Sequence, residues 1–502
     1  MVKDQLQLDS GMLQFAPKGA YYEEADEQFR RVMDMWTGLF DHDRTLFCLT
    51  TLLGGTGFSK GMMSHMLLAH PHASNGKELV PEGLAFDYET KVIMYNLDKE
   101  RTPRALKNLL MLAGGENQGR VNNNRTRRII LEFIFNRDHD SLDNLAVNYK
   151  NKLRTLIRHA LGKQDLYKIL NGDRRLFRKW IGRYHRNAFP VICYLFDVDL
   201  PMDEIYAFFP KVERVLLLKE AAKDLDVETF KNLMKGLPHL TVMGYRNTYK
   251  LDIPIGDIMQ KSRMTGRQAL QMQAAAKRSG AKVKVNYMKQ DIYDLWKALY
   301  FKLQTGDLDD SEKIIDAIEK QSARKEKIDI GNVTVVIDAS KSMQGSDKRP
   351  MHPFLTSLSI ISILDNIKDV IYVGGKKDDK LGAVIPSGGS DLWRGLVQAV
   401  ITGAEKILVI SDGYENLPKG MFEHVYKHFK DTGYKFELMH INPVFSADAN
   451  TGSVRKLAED VKPLPVTNYK YLETEVIFNR MIENSDLVKK LLINKYNKLI
   501  GG

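Results

Sequence analysis

Apolar residues recur every three or four positions through roughly the first two thirds of the chain, and this spacing predicts amphipathic helices. The segments that carry it include residues 24–40, 43–53, 60–70, 88–97, 103–113, 124–135 and 142–161. Clusters of Gly, Pro, Asn and Asp, such as Gly54-Gly-Thr-Gly57 and Asn171-Gly-Asp173, keep them short. About fifteen short helices on short turns predict an all-α helical-repeat solenoid or ring, irregular because no strict period is visible. The pattern changes near Asp329. Strands expected at 333–337, 369–373, 381–385, 406–411 and 436–441 alternate with helices at 354–367, 392–402, 420–431 and 453–459, the signature of a doubly wound, mainly parallel α/β sheet. A last helix at 473–499 is expected to fold back on the helical part. The boundary is set at the charged stretch Ser322-Ala-Arg-Lys-Glu-Lys327, giving a helical region of 1–325 and an α/β domain of 326–502.

Composition fits this multidomain picture. The 502 residues are 43% hydrophobic and 27% charged, ordinary values for a globular protein. Two distant cysteines, Cys48 and Cys193, suggest a reducing compartment and buried thiols. No apolar run has the ~20 residues of a membrane helix, and acids near the start argue against a signal peptide, so a cytoplasmic location is expected. The net charge of +11 is unevenly placed. Residues 101–190 hold 20 Lys and Arg against 7 Asp and Glu, and residues 241–290 hold 10 against 2. Residues 326–502 are nearly balanced, at 23 against 22. Such segregation is the footprint of a surface that binds polyanions.

The sharpest chemistry lies at the expected strand ends. Asp338-Ala-Ser-Lys-Ser-Met343 presents one carboxylate and two hydroxyls on one turn, just after Val333-Thr-Val-Val-Ile337. Ser390 closes Pro386-Ser-Gly-Gly-Ser390, and Asp412 closes Lys406-Ile-Leu-Val-Ile-Ser-Asp412. An open parallel sheet gathers such loops at its carboxyl edge. Asp338, Ser340, Ser342, Ser390 and Asp412 are then expected to hold a hard divalent cation, Mg²⁺ above all, with Asp391 capping the next helix or supporting the ligands. A purely structural reading, in which Ser340 and Ser342 only cap a helix, is the rival.

These three loops, in this order, resemble the metal-ion-dependent adhesion site of the von Willebrand factor A domain, with Ser390 where that family has Thr. The resemblance implies that a free coordination position accepts a carboxylate or phosphate oxygen from a partner. The pairing of such a domain with a long helical region resembles the Ro ribonucleoprotein autoantigen family. That family's TROVE region is a ring of HEAT-like helix pairs. The resemblance implies RNA binding and no catalysis: small noncoding RNA on the outer basic surface, and single-stranded 3′ ends in the central hole.

Three basic clusters are the candidate RNA contacts. Arg120, Arg125, Arg127 and Arg128 surround three asparagines at a helix start. Arg174, Arg175, Arg178, Lys179, Arg183 and Arg186 interleave with Phe177, Trp180 and Tyr184, rings able to stack bases. Arg246, Lys261, Arg263 and Arg267 form the third. Against each stands the plain reading of a solvated basic helix face, with Trp180 in the core. Charge reversal at Arg125, Arg127 and Arg128 is expected to reduce RNA affinity without unfolding the chain. No Walker loop, paired-His zinc motif or nucleophile elbow is present, and no His stands near the serines as a base. Two further readings stay open: a protein-interaction adaptor whose α/β domain docks an acidic partner without RNA, and a metal-dependent phosphoryl enzyme.

Overall fold

A computed structural model describes residues 25–500 apart from 71–81, 115–118, 200–207, 267, 271, 273–284, 326, 347–348, 445–454, 473–474 and 476–484. The chain divides into two compact units, one of residues 60–74 and 80–286 and one of residues 1–59, 75–79 and 287–502.

The first unit is helical. Its long element, His139–Leu170, packs against Thr102–Leu112, Asn124–Phe135, Phe189–Leu195 and Pro210–Lys223. The Asp138 carboxylate opens it by accepting the Ser141 N–H at 2.7 Å, the cap that a helix start needs. One stripe, including Leu142, Leu145, Leu153, Leu156, Ile157 and Ala160, is buried. The helix is not straight. Tyr149 leaves helical geometry (φ −134°, ψ 28°), and Gly162 takes φ +74°, a conformation that costs any residue with a Cβ. The expected segment 142–161 is therefore interrupted at Tyr149 and ends where Gly162 breaks the helix again, and a third stretch runs on to Leu170. Asp143, fully buried, reaches across to accept the N–H groups of Lys211 (2.8 Å) and Val212 (2.9 Å). It thereby satisfies first-turn donors of the Pro210–Lys223 helix that have no partner of their own.

The second unit is built on a sheet. Its strands, in chain order, are β1 Val333–Asp338, β2 Gly345–Ser346, β3 Arg349–Pro350, β4 Ile367–Val373, β5 Lys376–Lys377, β6 Val384–Ile385, β7 Lys406–Ile410, β8 Glu437–Asn442 and β9 Pro463–Pro465. Five make one all-parallel sheet in the order β4-β1-β7-β8-β9. Both faces are covered, as such a sheet requires. On one, Val335, Ile337, Leu408 and Ile410 meet Phe354, Leu355 and Leu358 of the His352–Ile361 helix. On the other, Val336, Ile407 and Val409 meet Leu396, Ala399, Phe422 and Tyr426 of the Leu392–Ile401 and Met421–Asp431 helices.

Three expectations are corrected. The strand at 381–385 is not in this sheet: Gly382 turns the chain at φ +65°, and only Val384–Ile385 extends, pairing antiparallel with β5 in a separate ribbon. The fifth sheet strand is β9, whose prolines suit an edge position that needs few N–H donors. Of the helix expected at 453–459, residues 453–454 lie outside the described residues, and 455–459 are not helical.

The unit's boundary also differs from the change in sequence pattern. The Ile292–Thr305 helix belongs with the sheet: Ile292 and Tyr300 join its core, and Tyr300 donates to the Val384 carbonyl at 2.6 Å. Trp296 donates to Ser362 Oγ at 3.1 Å. Ser322–Arg324 closes the Ser311–Arg324 helix instead of forming a linker, and Lys327 is pinned to the Ser362 carbonyl at 2.9 Å. The last helix, described over Ser485–Leu499, packs on Arg44–Thr50 and Thr51–Leu53; most of its expected first half lies outside the described residues. No helix among the described residues is long and apolar enough to cross a membrane.

Candidate metal centre and candidate nucleic-acid interface

The order β4-β1-β7 reverses the winding at β1, so the loops after β1 and β7 leave one crevice at the carboxyl edge. The Leu392–Ile401 helix lies tight against β1 there because Gly395 has no Cβ; one would stand 2.5 Å from Val336 Cγ1. The five residues singled out for a cation come together. Asp338 ends β1 with its carboxylate fully buried. Its Oδ1 accepts the Ser340 N–H at 2.8 Å, and its Oδ2 accepts the hydroxyls of Ser390 at 3.2 Å and Ser411 at 2.9 Å. Ser340 and Ser342 share a hydrogen bond of 3.0 Å between their hydroxyls. The Ser342 hydroxyl also bonds the Asp412 carboxylate, which accepts the Tyr414 N–H at 2.9 Å. Ser340, Ser390 and Asp412 are buried and Ser342 is exposed, so the group opens to solvent on the Ser342 side.

Burial raises the Asp338 carboxyl to about 6, with repulsion from Asp412 adding to it. Burial raises Asp412 as well, partly offset by the Tyr414 N–H, the Ser342 hydroxyl and the Arg455 guanidinium. Two carboxylates that resist ionising side by side, ringed by hydroxyl oxygens, are a donor set suited to a hard dication. No group of three or more His, Cys, Asp or Glu able to hold a metal exists among the described residues. An ion here would thus rest on Asp338 and Asp412, hydroxyls of Ser340, Ser342 and Ser390, and water.

Several supporting residues escaped the sequence reading. Ser411, one position before Asp412, bonds Asp338 directly, and Asn416 holds the Ser390 N–H at 2.9 Å. Asn442 donates to the Asp412 carbonyl at 3.0 Å, and His440 sits against the Ser411 carbonyl at 3.1 Å. Arg455 stacks on Tyr414 at 3.3 Å, close enough that Gly413 (φ +80°) has no room for a Cβ. Asp391 stands at the helix entry but makes no capping bond; it pairs with Arg394 at 3.1 Å.

The basic residues divide into structural and free. Arg125 forms an ion pair of 2.8 Å with Glu89, itself 2% exposed, and donates to Thr90 at 2.9 Å. Reversing its charge would therefore unsettle the fold, which corrects the expectation for that residue. Arg120 donates to His159 at 3.0 Å and Arg127 to Asn122 at 2.9 Å, while Arg128 is exposed. Asn123 is spent on the helix cap, accepting the Thr126 N–H at 2.9 Å and donating to the Leu68 carbonyl. Arg246 braces a turn through the Ile253 carbonyl at 2.8 Å. Lys261 and Arg263 are exposed, and Arg267 lies outside the described residues.

Arg174, Arg175, Arg178, Lys179, Arg183 and Arg186 are all exposed, and none pairs with a carboxylate among the described residues. The Arg174–Phe177 helix runs into a π turn, Arg178–Gly182, and then into turns. A single helical face consequently does not extend to Arg186. Trp180 is half-buried with its indole N–H on Asp165 (3.2 Å), so it is neither fully core nor a free platform. Lys179 lies 5.0 Å from the Trp180 ring and Arg183 4.8 Å from the Tyr184 ring. Burial raises the Tyr184 hydroxyl, a rise that the charges of Arg183 and Arg128 oppose and that of Glu132 reinforces.

No protein-family model matches this chain, and no match was found among curated proteins.

Proposed function

We propose that the protein binds RNA through the surface formed by residues 174–186 and Arg128, with a von Willebrand A-like domain that holds Mg²⁺ and contacts a partner. This is the arrangement of the Ro family that the sequence resembles, and it involves no catalysis. The observation that carries the reading is the run of six exposed cations between Arg174 and Arg186 with no carboxylate partner among the described residues. A cation already paired releases few counterions on meeting a phosphate, whereas a free one contributes its full share. The Arg183–Tyr184 and Lys179–Trp180 contacts add a partly buried ring beside each of two of these cations, and rings and cations together suit unpaired bases. The buried Asp338–Asp412 pair with its hydroxyls supports the cation site. An ion there would supply a positive centre for an anionic partner group.

The test is fluorescence anisotropy with a structured RNA and a single-stranded oligonucleotide over a salt series. Affinity should fall steeply with salt, and the pair Arg178→Glu and Arg183→Glu should weaken binding and flatten the log–log slope by about 2. Salt-independent binding, or none, would leave the adaptor reading in its place.

A further inference from the structure

The break at Tyr149 opens a cleft that the basic surface does not use. It has a volume of about 490 Å³ and lies between the two stretches of the His139–Leu170 helix at Tyr149 and the His239–Thr248 helix. That is within the ~300–1,000 Å³ of small-ligand pockets. The Thr241 hydroxyl ties the walls together through the Val147 carbonyl at 3.4 Å. Three of the lining residues are tyrosines, Tyr149, Tyr194 and Tyr245. Tyr194 is buried beneath the Lys150 ammonium, 4.3 Å from its ring centre. Tyr245 is half-buried and stacks on Tyr249, with centroids 6.5 Å apart and planes 25° from parallel. At the edge Leu240 is 69% exposed, an apolar side chain that a flat ligand would cover.

The polar lining is cationic and amidic. Beside the lining, Lys150 and Arg154 both bind Asp197, so two cations share one carboxylate. Lys152 has no carboxylate partner among the described residues, and its ammonium lies 5.8 Å from the Tyr149 ring. The amides of Asn148, whose nitrogen also donates to the Asn144 carbonyl at 2.6 Å, and of Asn151 lie in the lining, and an amide can donate to and accept from one heterocycle edge. Aromatic faces, amides and uncompensated positive charge within one cleft match a flat heteroaromatic ring bearing an anion.

We propose that this cleft binds a nucleoside phosphate, free or as one residue of an unpaired strand. The base lies against the tyrosines, its edge meets the amides, and the phosphate meets Lys152 and the excess charge beside Lys150. The inference goes beyond the RNA reading and stands without it, because none of these residues belongs to the 174–186 surface.

The full-length chain is titrated calorimetrically with AMP, GMP, CMP and UMP, and separately with single-stranded hexanucleotides of each base. Saturable binding at one site per chain is expected, weakened about tenfold by Lys152→Glu and by Asn148→Ala. Both changes are at exposed or half-exposed positions, and circular dichroism checks the fold. Binding of mononucleotides assigns a free ligand, and binding of hexanucleotides alone, still sensitive to Lys152→Glu, assigns a strand; either supports the cleft. Absence of both, or binding untouched by both variants, overturns it. The pair Arg178→Glu and Arg183→Glu should leave cleft binding intact, so loss of long-RNA binding alone would count against the basic surface only.

Discussion

At the scale of single residues, a side chain's value depends on what already holds it. Arg125 and Arg178 look alike in sequence, but one neutralises a buried glutamate and the other faces water. Arg125→Ala should lower stability by about 3 kcal/mol, since it takes the cation away from the buried Glu89 carboxylate; urea unfolding measures it, and a loss below 1 kcal/mol would deny the pair that role. Ser411→Ala removes a donor to Asp338 and should weaken Mg²⁺ binding about tenfold by calorimetry while leaving the fold intact. Asp338→Ala should abolish binding, and an unchanged titration would reject this ligand set. His440 is fully buried, and desolvation lowers it to about 4, against about 6.5 in an unfolded chain. The unfolded state therefore takes up a proton first, and stability falls as pH drops from about 6.5 toward 4, by about 3 kcal/mol in all. His440→Gln should flatten that acid slope, read as urea midpoints at pH 7 and pH 4.5.

At the scale of elements, local pattern was a good guide wherever the cause is local. The β-branched runs at 333–337 and 406–411 became β1 and β7 because residues buried on both faces read as continuous apolar stretches. That Asp338 and Asp412 would stand together was legible for the same reason, since they end or follow the neighbouring strands β1 and β7, whereas Ser390 follows no strand of the sheet and arrives through its bond to Asp338. Leu381-Gly-Ala-Val-Ile385 misled because one glycine at positive φ halves the extended run. Pro463-Leu-Pro465 hid because two prolines argue against a strand everywhere except an edge. Arg125 could not be read correctly, as its partner lies 36 positions away, and neither could Asn416 or the cleft at Tyr149, which depend on elements meeting in space. Gly395→Ala tests such a meeting. Its methyl would press into Val336 and Val373, and overpacking of this kind costs about 1–3 kcal/mol, visible as a lower urea midpoint.

For the whole molecule, the compositional boundary near 325 and the boundary of the folded unit at 287 lead to different fragments. A piece beginning at 326 lacks the Ile292–Thr305 helix, whose Ile292 and Tyr300 sit in the sheet's core and whose Trp296 bonds Ser362. Each such side chain is worth about 1.5–3 kcal/mol of burial. The shorter piece should accordingly melt well below one beginning at 287, by circular dichroism, and equal melting temperatures would show that the helix is dispensable. The helix formed by Ser485–Leu499 rests on Arg44–Leu53, so segments far apart in sequence complete the same unit. Because synthesis runs from the N-terminal side, the Arg44–Thr50 helix is made long before the Ser485–Leu499 helix that packs on it. The intervening helical unit is fully synthesised before that partner exists, so the contact between these two helices closes late, across a unit that can already have folded.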